Sequence, residues 1–197
     1  EFILQAVNAR TQGMLADQLL LTSGGTEANN LALLGLPPDL PGCILASTIE
    51  HPSILAAAEL AARRGRRIEW IPCLPSGIID TDWLFNRLNQ TGTLPEIALV
   101  TVMAANNETG ILQPVEEIGR VCQQANVRFH VDAVQLLGKG AVDFQQIQCD
   151  SMTICAHKLH GPIGIGALVH RRNLKLEPQI VGGLQQAAIR SGTQSVA

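Results

Sequence analysis

Short, uninterrupted apolar runs that break off into glycine-, proline- or amide-rich loops recur along the whole chain, and a helical stretch follows nearly every one. Residues 18–21, 43–46, 68–71, 97–103, 127–131 and 152–155 form such runs, with 166–170 as a returning one. Runs this short, apolar without polar alternation, read as strands covered on both faces. Strands of that kind pair in parallel, and each needs a crossover to the next, which helices supply. The stretches at 28–34, 52–64, 81–89 and 115–124 carry matching helix signals: Pro52 and Pro114 at first-turn positions, and Asp80, Thr81 and Asp82 as capping residues. The pattern predicts an α/β fold, a mostly parallel sheet sandwiched between helices in three α/β/α layers. Residues 1–14 read as a helix without a cap, 143–148 as a short connection, and 182–193 as a polar loop.

A chain of 197 residues is long enough for one such domain with a substantial core. Hydrophobic residues make up 46% and charged residues 16%, so much of the chain is buried, internally or in an interface. A net charge of −3, 3% aromatics and no tyrosine argue against a nucleic-acid partner, which needs a basic footprint or stacking platforms. No apolar run reaches the length of a membrane span and no signal segment opens the chain, so no membrane partner is expected. The five cysteines, Cys43, Cys73, Cys122, Cys149 and Cys155, are odd in number and without CxxC spacing. That pattern argues against a disulfide framework and against a metal site, and it favours a reducing compartment, here the cytoplasm.

The polar residues that could carry chemistry gather where the apolar runs end. Residues 151–162 read SMTICAHKLHGP: a buried strand delivers His157 and Lys158 into a turn closed by Gly161 and Pro162. A lysine at the end of a buried strand is partly desolvated, which disfavours the ammonium and frees the amine for a Schiff base with an aldehyde. Thr22-Ser23-Gly24-Gly25-Thr26-Glu27 joins a strand to a helix start, where free N–H groups and the helix dipole favour an anion and Thr26 adds a hydroxyl. This turn lacks the lysine of a P-loop and the spacing of a dinucleotide fingerprint. His51 lies at another strand exit, either as a ligand contact or as a helix-capping histidine. Asn106, Asn107 and Glu108 follow the run at 97–103, where they either face a ligand or satisfy a tight loop. Asp132 ends a strand with Gln135 three residues on, and a buried aspartate there needs a cationic partner to stay charged. An anion site, an amine, and a buried acid suited to a protonated ring nitrogen together point to pyridoxal 5'-phosphate.

TSGGTEANNLAL at 22–33, IEHPSIL at 49–55, NNETGILQPVEEIG at 106–119, HVDAVQLLGK at 130–139, AHKLHGPIGIGAL at 156–168 and RSGT at 190–193 occur in this order. Together they resemble the large, cofactor-binding domain of the cysteine desulfurases, pyridoxal-phosphate enzymes of the class-V aminotransferase family with the aspartate-aminotransferase fold. The resemblance runs nearly end to end and implies roles residue by residue. Lys158 would bind the cofactor aldehyde and move protons at the substrate Cα. His51 would stack on the ring, Asp132 would pair with the ring nitrogen, Gln135 with the ring hydroxyl, and Asn107 would face cofactor and substrate. Gly25, Thr26, Cys155 and His157 would hold the phosphate, and Thr193 would reach the phosphate of a neighbouring subunit, which implies a homodimer. The implied reaction takes sulfur from L-cysteine, giving L-alanine and an enzyme-bound persulfide. That sulfur would pass to an acceptor or scaffold protein for iron–sulfur cluster or thio-cofactor assembly.

Residues 1–197 are expected to be that large domain, without the family's N-terminal segment and without the small C-terminal domain that carries the sulfur-accepting cysteine. None of the five cysteines lies in a matching loop, so no nucleophile is assigned. Cys155 stands where the family usually has a phosphate-binding serine; a thiol is a weaker donor, and a plain buried small residue is the other reading. The competing expectations are another enzyme of the same fold, a cystine or selenocysteine lyase or an aminotransferase, and a non-catalytic fragment used for dimerisation or docking.

Overall fold

The computed structural model describes residues 1–90 and 96–194. The described residues form a seven-stranded sheet in the order β1-β7-β6-β5-β4-β2-β3. Its strands are β1 Gln18–Thr22, β2 Cys43–Ser47, β3 Ile68–Ile71, β4 Ile97–Thr101, β5 Arg128–Asp132, β6 Ser151–Cys155 and β7 Gly166–His170. The pairings among β2 to β6 are parallel, and β7 is antiparallel to both of its neighbours, β6 and β1. The mostly parallel three-layer fold expected from the alternating pattern is therefore the fold observed.

Successive strand residues serve opposite layers. Ile44, Ala46, Leu99 and Leu168 pack under α2 Gly25–Leu34 and α3 Pro52–Arg63, against Leu31, Ile54 and Ala57. Cys43, Leu45, Val100, Phe129, Val131 and Val169 face the other way. There they meet α4 Thr81–Asn89, α5 Val115–Gln124 and α6 Phe144–Ile147, with Leu84, Ile118 and Phe144 fully buried. Burial on both faces explains the unbroken apolar runs. The caps act as the sequence suggests at α4, where Asp80 accepts from the N–H of Trp83 at 2.9 Å. Pro114 sits one place earlier than expected, as the N-cap of α5.

Two local expectations fail. Only Phe2–Ala6 of the first fourteen residues is helical (α1). Asn8 turns left-handed, and the Asp17 carboxylate takes the N–H of Arg10 at 2.8 Å, so side-chain bonds to the backbone outcompete a longer helix. Residues 143–148 are more than a connection: Asp143 accepts from the N–H groups of Gln145 and Gln146 at 2.9 and 2.8 Å and starts α6. Among the described residues no helix is long and apolar enough to cross a membrane, and no group of three or more His, Cys, Asp or Glu could hold a metal ion.

Candidate functional site

Every parallel strand points its C-terminal end to the same edge of the sheet, so the loops after β1, β2, β4, β5 and β6 converge there. Gly25 opens α2 against this edge. A Cβ at Gly25 would stand 3.0 Å from Val134 Cγ2, 3.6 Å from Thr153 Cγ2 and 3.9 Å from Cys155 Cβ. The helix start therefore lies directly on the exits of β5 and β6. Gly166 brings β7 equally close, since its Cβ would stand 2.4 Å from the Gly24 backbone. Glu27 takes the N–H of Ser23 at 2.7 Å and a forked bond from Arg190 at 2.7 and 3.2 Å. Partial burial pushes the Glu27 carboxyl up, but Arg190 and Ser23 outweigh it and hold the group below the usual range. The ion pair ties residues 190–193 to the anion loop.

Asp132 ends β5 at 4% exposure. Its Oδ2 accepts from Asn29 Nδ2 at 2.7 Å and its Oδ1 from the N–H of Val134 at 3.0 Å, and it has no ion-pair partner among the described residues. Burial pushes its carboxyl up, against the pull of the Asn29 and Val134 donors and of nearby His51. His51 is half-buried and is the N-cap of α3: its Nδ1 accepts from the N–H of Ser53 at 3.1 Å. The capping reading of His51 is therefore the one observed, and the capped ring lies near enough to Asp132 to act on its carboxyl.

The lysine differs from its expectation. His157 and Lys158 lie on the 3₁₀ turn Ala156–Leu159 and both are exposed. β6 ends at Cys155, and the turn runs out beyond the sheet, so the described residues do not desolvate Lys158. Cys155 is buried, 4.0 Å from His157 Nε2 through its sulfur, and burial pushes its thiol up. Of the two adjacent amides, Asn106 satisfies the loop, accepting from the N–H groups of Glu108 and Thr109 and donating to Ile49 O at 3.1 Å. Asn107 is exposed. Gln135 accepts from Lys139 Nζ at 2.6 Å through Oε1, which leaves its amide hydrogens as donors. Thr26 is exposed at the α2 start, and Thr193 is exposed past buried Ser191. The structure thus gathers Gly25, Thr26, His51, Asp132, Gln135, Cys155, His157 and Lys158 along one edge, with Asn107 on a neighbouring loop.

Sequence reasoning missed the buried polar residues behind the site. Asn29 stands one helical turn after Gly25 on the inward face of α2, at 1% exposure. Glu50 is 5% exposed; its Oε1 accepts from Ser47 Oγ at 2.6 Å and from the N–H of Met103 at 2.7 Å, while its Oε2 is buried without a partner among the described residues. Burial pushes the Glu50 carboxyl up to about 8, with nearby Asp132 adding to the shift, so the group is neutral at pH 7. The only signal for either residue was its place inside a quoted motif, Asn29 in 22–33 and Glu50 in 49–55. A cleft of about 760 Å³ opens at the opposite edge of the sheet, lined by Arg10, Asp17, Arg128 and Asp150, and it contains none of the expected site residues.

Residues 5–195 match the family of class-V aminotransferases. A probable mitochondrial cysteine desulfurase of Dictyostelium discoideum is 36% identical over 186 residues, covering 92% of this chain and 40% of that protein. The cysteine desulfurase IscS of Rickettsia bellii is 37% identical over 190 residues, covering 94% of this chain and 45% of the relative. Among solved structures, a NifS-like protein from Rickettsia africae superimposes with a TM-score of 0.86 at 33% identity, over 98% of this chain and 51% of the other. The chain thus spans about half the length of the proteins it resembles. The eukaryotic relatives are named mitochondrial or mitosomal, which overturns the expected cytoplasmic location. Unpaired cysteines report the redox state of a compartment and carry no address.

Proposed function

Since the chain belongs to the class-V aminotransferase family, we propose that it is the pyridoxal-phosphate-binding part of a cysteine desulfurase. One observation carries this reading: a buried aspartate, without a cation among the described residues, stands beside the start of α2, on the edge that also presents a lysine. The residues fit the cofactor by the chemistry of their donor sets. A protonated ring nitrogen would supply the cation that Asp132 lacks among the described residues, and the first N–H groups of α2 with Thr26 suit a phosphate. When bound, pyridoxal phosphate supplies an electron sink for bond cleavage at a substrate amino acid.

In this reading Lys158 provides the amine that holds the cofactor and carries protons at the substrate Cα. Its exposure leaves it open to an incoming aldehyde. Asp132 keeps the ring nitrogen protonated, His51 lies against the ring, Gln135 donates to the ring hydroxyl, and Asn107 meets the substrate carboxylate. Gly25, Thr26, Cys155 and His157 hold the phosphate, and Thr193 reaches into the site of a second copy, so the working unit is a homodimer. The substrate is L-cysteine, and the sulfur leaves as a persulfide for an acceptor protein, in iron–sulfur cluster or thio-cofactor assembly. Four of the five cysteines do not suit the sulfur-accepting role. Cys43, Cys122, Cys149 and Cys155 are buried, and burial pushes each thiol up, that of Cys122 to about 12.

Borohydride reduction of the pyridoxal-phosphate-treated protein, followed by peptide mapping, tests the reading. A pyridoxyl adduct on Lys158 alone, abolished by Lys158→Ala, is the expected result; sulfide release from cysteine in the presence of a thiol is then measured on the unreduced full-length gene product. A folded sample without an adduct would retire the enzyme in favour of a scaffold role.

A further inference from the structure

Behind the candidate site runs a continuous line of hydrogen bonds that the roles above leave unused. Ser151 Oγ lies 2.9 Å from His130 Nδ1, and His130 Nε2 lies 3.3 Å from Asn29 Oδ1. Asn29 Nδ2 donates to Asp132 Oδ2 at 2.7 Å and to Ser53 Oγ at 2.8 Å. Ser53 Oγ in turn lies 2.8 Å from His51 Nδ1.

Chemistry fixes the direction of each bond. A carboxylate only accepts, so Asn29 must turn its NH₂ to Asp132 and its carbonyl to His130. His130 then donates from Nε2 and accepts the Ser151 hydroxyl hydrogen at Nδ1. It is fully buried, and burial pushes it down to about 3, so it stays neutral. At the other end, the backbone N–H of Ser53 points at His51 Nδ1, so that nitrogen is an acceptor. The Ser53 hydroxyl accepts from Asn29 and turns its own hydrogen to the same nitrogen.

We propose that Asn29 and Ser53 are positioning residues of the site: the two hydrogens of one amide orient the Asp132 carboxylate and, through the Ser53 hydroxyl, hold the His51 ring with its Nδ1 as acceptor and its proton on Nε2. His51 Nε2 has no hydrogen-bond partner among the described residues, so its hydrogen is available to a ligand. His51 therefore meets the reacting groups as a proton donor, set to that state by two side chains behind it. A single amide also couples the two sides of the site, because rotating it disturbs Asp132 and His51 together. The inference builds on the reading of His51 and Asp132 as cofactor contacts.

The test is ¹⁵N spectroscopy of histidine-labelled whole protein, with and without pyridoxal phosphate, the His51 signals being assigned with a His51→Asn variant. The unsubstituted protein should show a bare Nδ1 and a protonated Nε2 at His51 before any cofactor is added. Ser53→Ala keeps the backbone N–H as the remaining donor to Nδ1 but loses the hydroxyl, and should bring up a minor population protonated at Nδ1; Ser53→Thr, which keeps the hydroxyl, should restore the single tautomer. Asn29→Ala should mimic Ser53→Ala if it folds; if it does not, the serine pair decides alone. A protonated Nδ1 in the unsubstituted protein, or a tautomer unchanged in Ser53→Ala, would overturn the proposal. The expected tautomers without a pyridoxyl adduct on Lys158 would uphold the network and retire the cofactor reading instead.

Discussion

A residue can sit next to a site and cost the fold free energy, and Glu50 is such a residue. Its carboxyl is buried with one oxygen unpartnered, and its folded pKa is about 8 against an ordinary 4.5. Between those values the unfolded chain releases the Glu50 proton while the folded chain keeps it. Stability from this group is therefore intact below about pH 4.5 and falls as pH rises through the window towards 8. At pH 7 the penalty is on the order of 3 kcal/mol, taking about 1.4 kcal/mol per pH unit. Glu50→Gln keeps an acceptor for Ser47 and Met103 and cannot ionise. Urea unfolding at pH 5 and pH 8 should give a smaller difference for the variant than for the parent, with the gain at pH 8. Residues of this kind were hard to find from the sequence, because an internal Glu or Asn in a helix or turn reads as surface or cap until its neighbours are known. Lys158 shows the opposite failure: the strand before it was correctly seen as buried, yet how far the turn projects past the sheet is set by tertiary geometry.

Among the elements, the β1–α2 turn and β7 are tightly fitted. Gly166 leaves no room for a side chain, since an added Cβ would fall within 2.4–2.8 Å of Gly24 backbone atoms. Gly24 is itself extended, with φ of 160°, and an added Cβ there would meet nothing within 4 Å. Gly166→Ala should push β7 off the anion loop, costing about 1–3 kcal/mol as overpacking does. It should also weaken pyridoxal phosphate binding at least several-fold. Gly24→Ala, next to the same loop, should cost well under half of that. Thermal melts and a fluorescence titration of the cofactor separate the two. The helices and strands themselves were read from the sequence with small boundary shifts, because their apolar periodicity is local. Residues 1–14 and 143–148 were misread, because Asp17 and Asp143 decide those segments through side-chain bonds to the backbone.

Across the whole molecule strands far apart in sequence meet at one edge of the sheet. Among the described residues β1, from residues 18–22, pairs only with β7, from residues 166–170, so this edge depends on long loop closure. Arg171, just past β7, clamps the junction. It pairs with buried Asp17 at 3.1 Å, donates to Cys149 O and Phe144 O at 3.0 Å each, and lies 4.2 Å from the Phe144 ring centroid. Removing the cation strands Asp17, so Arg171→Ala should cost about 3 kcal/mol in denaturant unfolding. The double variant Asp17→Leu, Arg171→Met should recover much of that loss, since it leaves no unpaired charge.

Alternating apolar runs and turn chemistry are properties of neighbouring residues, and they suffice to determine the layers, the parallel sheet and the loops that carry polar groups. Which of those polar groups touch is a property of residues far apart in the chain. Asn29 meets Asp132 across 103 positions, and Arg190 meets Glu27 across 163. Burial, protonation and tautomer follow from such contacts, so the fold had to bring β5, α2 and α3 together before the chemistry of His51 and Asp132 was defined.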